Sequence, residues 1–153
     1  MPQPFGHDIK QRTYIAATPE KVFDTITNAA EWDKFFTTGM VLDPHPDGEC
    51  TFKWKDWGPD RYSLEAKGKV VAVERPRRFV FQWGLASGNP TTITFDLEPA
   101  HGGTILTITE TGYQDTDAAR AMILECASGW GEAATLLKFY LEHGVVYTPP
   151  KAD

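Results

Sequence analysis

One carboxylate, two cysteines, four histidines and five tryptophans are the residues of this 153-residue chain whose types and positions could support chemistry. Glu110 is the odd one among them. Thr104, Leu106, Ile108 and Glu110 share one side of an alternating segment, with Ile105, Thr107 and Thr109 on the other. A carboxylate buried without partners is strongly unfavourable, so its place on an otherwise apolar side needs a reason. The default reading is that a strand ends there and Glu110 reaches solvent or caps the next turn. The alternative sets it at the mouth of a cavity, where it orients a polar group of a ligand.

The remaining candidates for catalysis are weak. His7, His45, His101 and His143 fall in predicted turns or near element ends, with no His-x-x-x-His and no carboxylate at a ligand spacing. No metal or cofactor is therefore expected. Cys50 and Cys126 show neither a Cys-x-x-Cys nor a Cys/His spacing and read as reduced, buried thiols. Gly-x-Ser-x-Gly and phosphate-binding glycine loops are missing from the sequence, and no catalytic residue is assigned.

The aromatic residues suggest binding instead. Trp54, Tyr62, Phe81, Trp83, Phe95 and Trp130 each read singly as core, but as a group they suit the lining of an apolar pocket with an N–H or O–H turned inward. Met122 and Cys126 join them from a helical stripe. Gly129 and Gly131 flank Trp130, and each costs about 1 kcal/mol relative to alanine inside a helix. That weakness fits a helix that bends or leaves room beneath it, which makes Trp130 the expected pocket floor.

The elements that must position these residues follow from periodicity. Ile9, Gln11, Thr13 and Ile15 mark a first strand, and Thr18-Pro19-Glu20 a helix start with a hydroxyl cap, proline in the first turn and an acid at the positive end of the dipole. A second short helix is expected over 29–36, burying Trp32, Phe35 and Phe36. Short strands then alternate with turns at 44–48, 57–60, 89–90 and 101–103. Residues 61–72 read as one amphipathic strand, with Tyr62, Leu64, Ala66, Gly68, Val70 and Ala72 inward and Arg61, Ser63, Glu65, Lys67 and Lys69 outward. Phe79, Phe81 and Trp83, then Ile93, Phe95 and Leu97, repeat the pattern.

After Gly112 the period becomes helical. Met122, Ile123, Cys126, Trp130, Ala133, Ala134, Leu137, Tyr140 and Leu141 fall on one stripe, and Gly144 is the stop. A helix over 116–143 is roughly 42 Å long at about 1.5 Å per residue. Six or seven strands at about 4.8 Å spacing span roughly 30 Å. The helix thus crosses the whole sheet, which must curve to cover it. The expected fold is α+β: a curved antiparallel sheet of six to seven strands around a long C-terminal helix, with two short helices after the first strand. It forms a single domain over 1–153, with a structured core at 8–146 and a frayed tail from Tyr147.

Composition bounds the partners. Hydrophobic residues make up 41% and charged residues 24%, a globular balance that argues against disorder. A net charge of −6 offers no footprint for nucleic acid or an anionic membrane, and the basic group Arg75, Arg77 and Arg78 reads as a solvated turn. The opening residues lack a basic and apolar leader, and no apolar run has spanning length, so a cytoplasmic protein is expected.

Several ordered segments resemble a known family. Ile15-Ala16-Ala17-Thr18-Pro19-Glu20-Lys21-Val22-Phe23 is similar to an Ile-x-Ala-Pro-x-Glu-x-Val-Trp opening, with Phe23 in place of tryptophan and Ala17-Thr18 before the proline. Thr25-Ile26-Thr27-Asn28 with Trp32, Glu74-Arg75-Pro76 leading to Phe79, Phe81-Gln82-Trp83, Thr109-Glu110-Thr111-Gly112-Tyr113 and Ser128-Gly129-Trp130 continue the match. Together they resemble the family homologous to the C-terminal domain of the Hsp90 ATPase activator, within the START/Bet v 1-like superfamily. The resemblance implies the helix-grip fold. It also implies a leading function, binding of a small apolar or amphipathic molecule between sheet and helix. A second reading is a protein-interaction module with a partner such as Hsp90, in a stress-response role. The third is a cyclase- or hydrolase-type enzyme using Glu110 or a tyrosine as an acid. A monomer and a homodimer are both compatible with the sequence.

Overall fold

The structure is a computed structural model and describes residues 3–150. Strand β1 (Ile9–Ile15) leads into helix α1 (Pro19–Ile26), which starts where the sequence places it: Thr18 Oγ1 accepts from the Lys21 N–H at 3.2 Å. Helix α2 (Ala29–Trp32) is shorter than the expected 29–36. Asn28 Oδ1 accepts from the Ala30 N–H at 2.9 Å to cap this single turn. The chain then continues as turns that still bury Trp32, Phe35 and Phe36. The Trp32 indole donates to the Ile26 carbonyl at 2.8 Å, fastening α2 beneath α1.

Eight strands follow an arrangement of two antiparallel sheets, where a single sheet of six to seven was expected. One sheet has the order β1-β8-β7-β6-β5, formed with β5 (Gly68–Glu74), β6 (Arg78–Trp83), β7 (Thr91–Ala100) and β8 (Gly103–Thr111). The other joins β2 (Val41–Leu42), β3 (Cys50–Trp57) and β4 (Tyr62–Ala66). The division falls inside 61–72, which is two strands and not one. Gly68 marks the crossing point: a Cβ there would stand 1.9 Å from the Gln82 carbonyl oxygen and 2.9 Å from that of Cys50. Three backbones therefore converge where only glycine fits, and the chain exchanges β3 for β6 as its partner. A bridge between Glu49 and Lys69, with Val70 N–H donating to the Gly48 carbonyl at 2.8 Å, joins the two sheets.

The inward sides of β6, β7 and β8 form the core as their alternation predicts. Phe79, Phe81, Ile93, Phe95, Leu106 and Ile108 are all buried, as is Phe52 of β3. Each large side chain contributes roughly 1.5–3 kcal/mol of transfer free energy. Helix α3 (Asp117–His143) closes this core, capped by Thr116 accepting from the Ala119 N–H at 3.1 Å and ended by Gly144 at φ 67.

The stripe is fully buried only in the second half of α3, while Ile123 and Cys126 in the first half are half-buried against the core. Trp130, Ala133, Ala134 and Leu137 are its buried residues, and none precedes Trp130. Met122 is 49% exposed, against the expectation of a buried position. The tail also departs from its reading. Tyr147 N–H donates to the Lys34 carbonyl at 2.9 Å, its ring meets Trp57 edge-on at 5.2 Å, and the Pro150 carbonyl accepts from Arg61 at 2.9 Å. Far from fraying, residues 147–150 strap the tip of the β3–β4 hairpin; the last three residues lie outside the described part.

The basic group is solvated, as expected: Arg75 pairs with Asp24 at 2.9 Å, Arg78 with Asp96 at 2.8 Å and Arg77 with Glu74 at 3.8 Å. Among the described residues no helix is long and apolar enough to cross a membrane.

Candidate ligand site between the sheet and the long helix

Glu110 does not reach solvent. Its strand is interior to the five-stranded sheet, where it lies opposite Ile9 of β1 and Ile93 of β7, and the residue is 0% exposed. The default reading fails because the strand continues in pairing on both sides at this position and Trp83, Thr91 and Trp130 cover the side chain. The carboxylate is instead met by three donors. Trp83 Nε1–H reaches Oε2 at 2.9 Å, the Thr91 hydroxyl reaches the same oxygen at 2.5 Å, and Trp130 Nε1–H reaches Oε1 at 2.8 Å. An indole N–H can only donate, so both oxygens act as acceptors. The two indoles stack at 5.1 Å and 20°, with Phe52 edge-on to each. A residue from β6 and one from α3 thus converge on one carboxylate of β8, tying the helix to the sheet at the point where its buried half begins.

Beyond this knot lies an open cavity of about 1410 Å³, between β4, the connection from Gly84 to Asn89, and the first half of α3. Trp54, Tyr62, Trp83 and Glu110 line it from the sheets, and Met122, Cys126 and Trp130 from the helix. Phe81 and Phe95 do not. They sit deeper on the same register, packed against Trp130 at 6.2 and 5.7 Å, and belong to the sealed core. Leu64, 55% exposed, lines the cavity from β4, and Leu124, 74% exposed, from α3. The inward side of β4 therefore faces an opening where the sequence suggests a packed helix. Gly129 also borders the cavity, and a Cβ there would meet nothing within 4 Å.

Among the described residues, two buried polar atoms of the lining side chains make no hydrogen bond within 3.5 Å, Trp54 Nε1 and the Tyr113 hydroxyl, the latter close to Cys126 and Glu110; both side chains are more than nine-tenths buried. Burial raises the Tyr113 phenol far above its ordinary range, and the neighbouring Cys126 thiol and Glu110 carboxylate push the same way. Burial, then Glu110, pushes the Cys126 thiol up to about 11. Cys50, off the cavity, is pushed up to about 12 by burial and by Glu49. Both thiols stay protonated near neutral pH and are poor nucleophiles. Among the described residues no three His, Cys, Asp or Glu side chains assemble into a metal-ligand set.

The sequence matches the family model described as "Activator of Hsp90 ATPase homolog 1-like protein" over residues 16–142. The chain belongs to this family. No curated protein matches the sequence. Among solved structures, the AHSA1-like domain is similar to a protein from Staphylococcus saprophyticus, with a TM-score of 0.74, 23% identity and coverage of 94% of this chain and 98% of the other. A protein from Rhodobacter sphaeroides has a TM-score of 0.72 at 27% identity, covering 88% and 91%. The Aha1 dimer from Colwellia psychrerythraea has a TM-score of 0.71 at 23% identity, covering 90% and 98%. The helix-grip fold expected from the resemblance is the fold of this domain.

Thr91 and Tyr113 complete the site of this AHSA1-like domain, and the residue pattern did not single them out. Thr91 begins the inward register of Ile93 and Phe95, so its side was legible, but its partnership with Glu110 was not. Tyr113 had no such signal. Gly112, at φ 103, turns the chain after β8 and resets the alternation that would otherwise send position 113 outward.

Proposed function

We propose that this domain binds a small apolar or amphipathic molecule in the cavity between β4 and residues 117–129 of α3, without converting it. The observation that carries this reading is the half-packed helix. No residue of α3 before Trp130 is fully buried, and the space beside it is bordered by Trp54, Tyr62 and Met122. Unfilled space forfeits dispersion contacts, and an unpartnered buried N–H or O–H costs about 1–3 kcal/mol. A molecule seated there would relieve both. Glu110 argues against acid–base turnover, since its oxygens are occupied and it has no exposed surface.

A thermal-shift panel of fatty alcohols, sterols, flavonoids and polyketides tests the reading. A ligand at about one hundred times its Kd stabilises by about 2.7 kcal/mol, and each kcal/mol moves Tm by about 2–4 °C in a domain of this size. A bound compound should raise Tm by roughly 5–10 °C. No shift across the panel, with unchanged tryptophan emission, refutes it.

The family description and the dimeric Colwellia relative favour a second reading, a protein-interaction module acting in the cytoplasm through exposed Leu64, Met122 and Leu124. Capture of purified Hsp90, or a dimer by light scattering that Leu124→Glu dissociates, would put it first.

A further inference from the structure

The following inference rests on the binding reading above and names the ligand class. We infer that the cavity selects uncharged molecules with a hydrogen-bond acceptor on an apolar body, such as ketones, esters or ethers, and rejects carboxylates and other organic anions. Among the described residues four carboxylates line it, Asp60, Glu65, Glu110 and Glu125, against the single cation Lys67, and no arginine or histidine does. Asp60, Glu65 and Glu125 are exposed, and Lys53 lies 3.9 Å from Glu65. Rim charges of this kind are screened within about 8 Å at physiological ionic strength. Glu110 is different, because it is fully buried and salt does not reach it. An anion entering this cavity would lose hydration, gain no guanidinium or imidazole partner, and approach a like charge through a medium of low dielectric.

Cations are not favoured in exchange. Glu110 is fully buried behind Trp83, Thr91 and Trp130, which donate to both of its oxygens, so a cation makes no contact with it, and the exposed rim carboxylates offer only screened attraction. The buried groups of the lining residues without a hydrogen bond within 3.5 Å are the Trp54 N–H, which can only donate, and the Tyr113 hydroxyl. Both call for an acceptor, and a neutral carbonyl or ether oxygen supplies one without a charge.

Matched probes test this directly. N-phenyl-1-naphthylamine is neutral, and 1-anilinonaphthalene-8-sulfonate carries the same rings with a sulfonate. The neutral dye should bind at least about tenfold tighter, a factor that a like charge within several ångström exceeds at an effective dielectric of about 20. Dodecan-2-one should displace that dye at a concentration about tenfold lower than dodecanoate does. Both ratios should persist in about 0.5 M salt, where exposed charges beyond about 4 Å no longer act. Tyr113→Phe removes a hydroxyl that makes no hydrogen bond, so the variant should fold; it should weaken the ketone several-fold and leave the dye unchanged. Equal binding of the two dyes, tighter binding of dodecanoate, ratios that vanish in salt, or a ketone indifferent to Tyr113→Phe would each overturn the inference while leaving the binding reading intact. If no dye or ketone binds, the binding reading itself fails and this inference with it.

Discussion

Replacing Glu110 by glutamine changes one atom at the centre of the knot that holds α3 to the sheet. The carboxylate accepts on both sides, two bonds at Oε2 and one at Oε1. An amide has only one accepting oxygen. Oriented to keep Trp83 and Thr91, it turns its NH₂ toward the Trp130 N–H, donor against donor; reversed, it sets the NH₂ against the Trp83 N–H, while the Thr91 hydroxyl turns to accept from it. Either orientation forfeits one hydrogen bond to a charged acceptor, about 1.5–3 kcal/mol, and leaves a buried indole N–H unpaired. The two surviving bonds lose their charge assistance, which is worth about half their strength. The sum is roughly 3–5 kcal/mol, a large share of the ~5–15 kcal/mol that a domain of this kind possesses. Urea denaturation followed by tryptophan emission measures it: with a slope of about 2 kcal/mol per molar, the midpoint should fall by roughly 1.5–2.5 M. Because Trp83 and Trp130 are both reporters and partners, the native emission should shift as well. A midpoint within about 0.3 M of the parent, with unaltered emission, would show that the carboxylate does not hold the helix, and the account of the site would be wrong.

Three further outcomes follow from the same geometry. Phe95→Ala empties the sealed core and should cost about 3–5 kcal/mol, whereas Met122→Ala, at the half-exposed cavity wall, should change stability by no more than about 1 kcal/mol yet weaken the neutral dye; calorimetry and titration of the two variants separate core from cavity. Gly129→Ala should stabilise by about 0.5–1 kcal/mol, since its Cβ meets open space, while Gly68→Ala should prevent folding to the native sheet pairing, as circular dichroism would record. Cys50 and Cys126 have folded values of about 12 and about 11 against an ordinary 9.0. The folded state therefore holds protons that the unfolded chain releases, so the stabilisation is complete below about pH 9 and is lost as pH rises through 11 and 12. A Tm that declines from pH 9 upward, with native thiols inert to a disulfide reagent at pH 8 and Cys126 reacting before Cys50 at higher pH, is the expected pattern; rapid modification of Cys126 at pH 8 would contradict it.

Much of the fold is local in origin and so was readable. Alternation in β6, β7 and β8 and the change to a helical period after Gly112 depend only on neighbours within each element, and the long helix begins and ends within a residue of the expected span. The break at Lys67 depends on a different kind of fact. Gly68 fits the inward register of a continuous strand, and only the approach of Gln82 and Cys50 carbonyls makes it a crossing point. Tyr62 and Leu64 show the same limit: their register is inward, but inward means toward the half of α3 in which no residue is fully buried. Glu110 was visible as an anomaly. Its resolution required Trp83, Thr91 and Trp130, donors from three other elements whose convergence no local pattern encodes.

The strap formed by Tyr147 and Pro150 has a mechanical consequence for entry to the cavity. One jamb of the doorway, the β3–β4 tip, is pinned through Trp57 and Arg61 to the far end of the same helix whose first half forms the opposite jamb. The pinned side keeps its position, while the helical side, whose Ala119, Ile123, Cys126 and Ala127 are only half-buried against the core, is held less firmly. Entry to the cavity therefore lies between a pinned jamb and the less firmly packed first half of α3, so crosslinking residue 118 to the β4 side should bar ligand exchange, and cutting the tail after Val146 should loosen the pinned jamb.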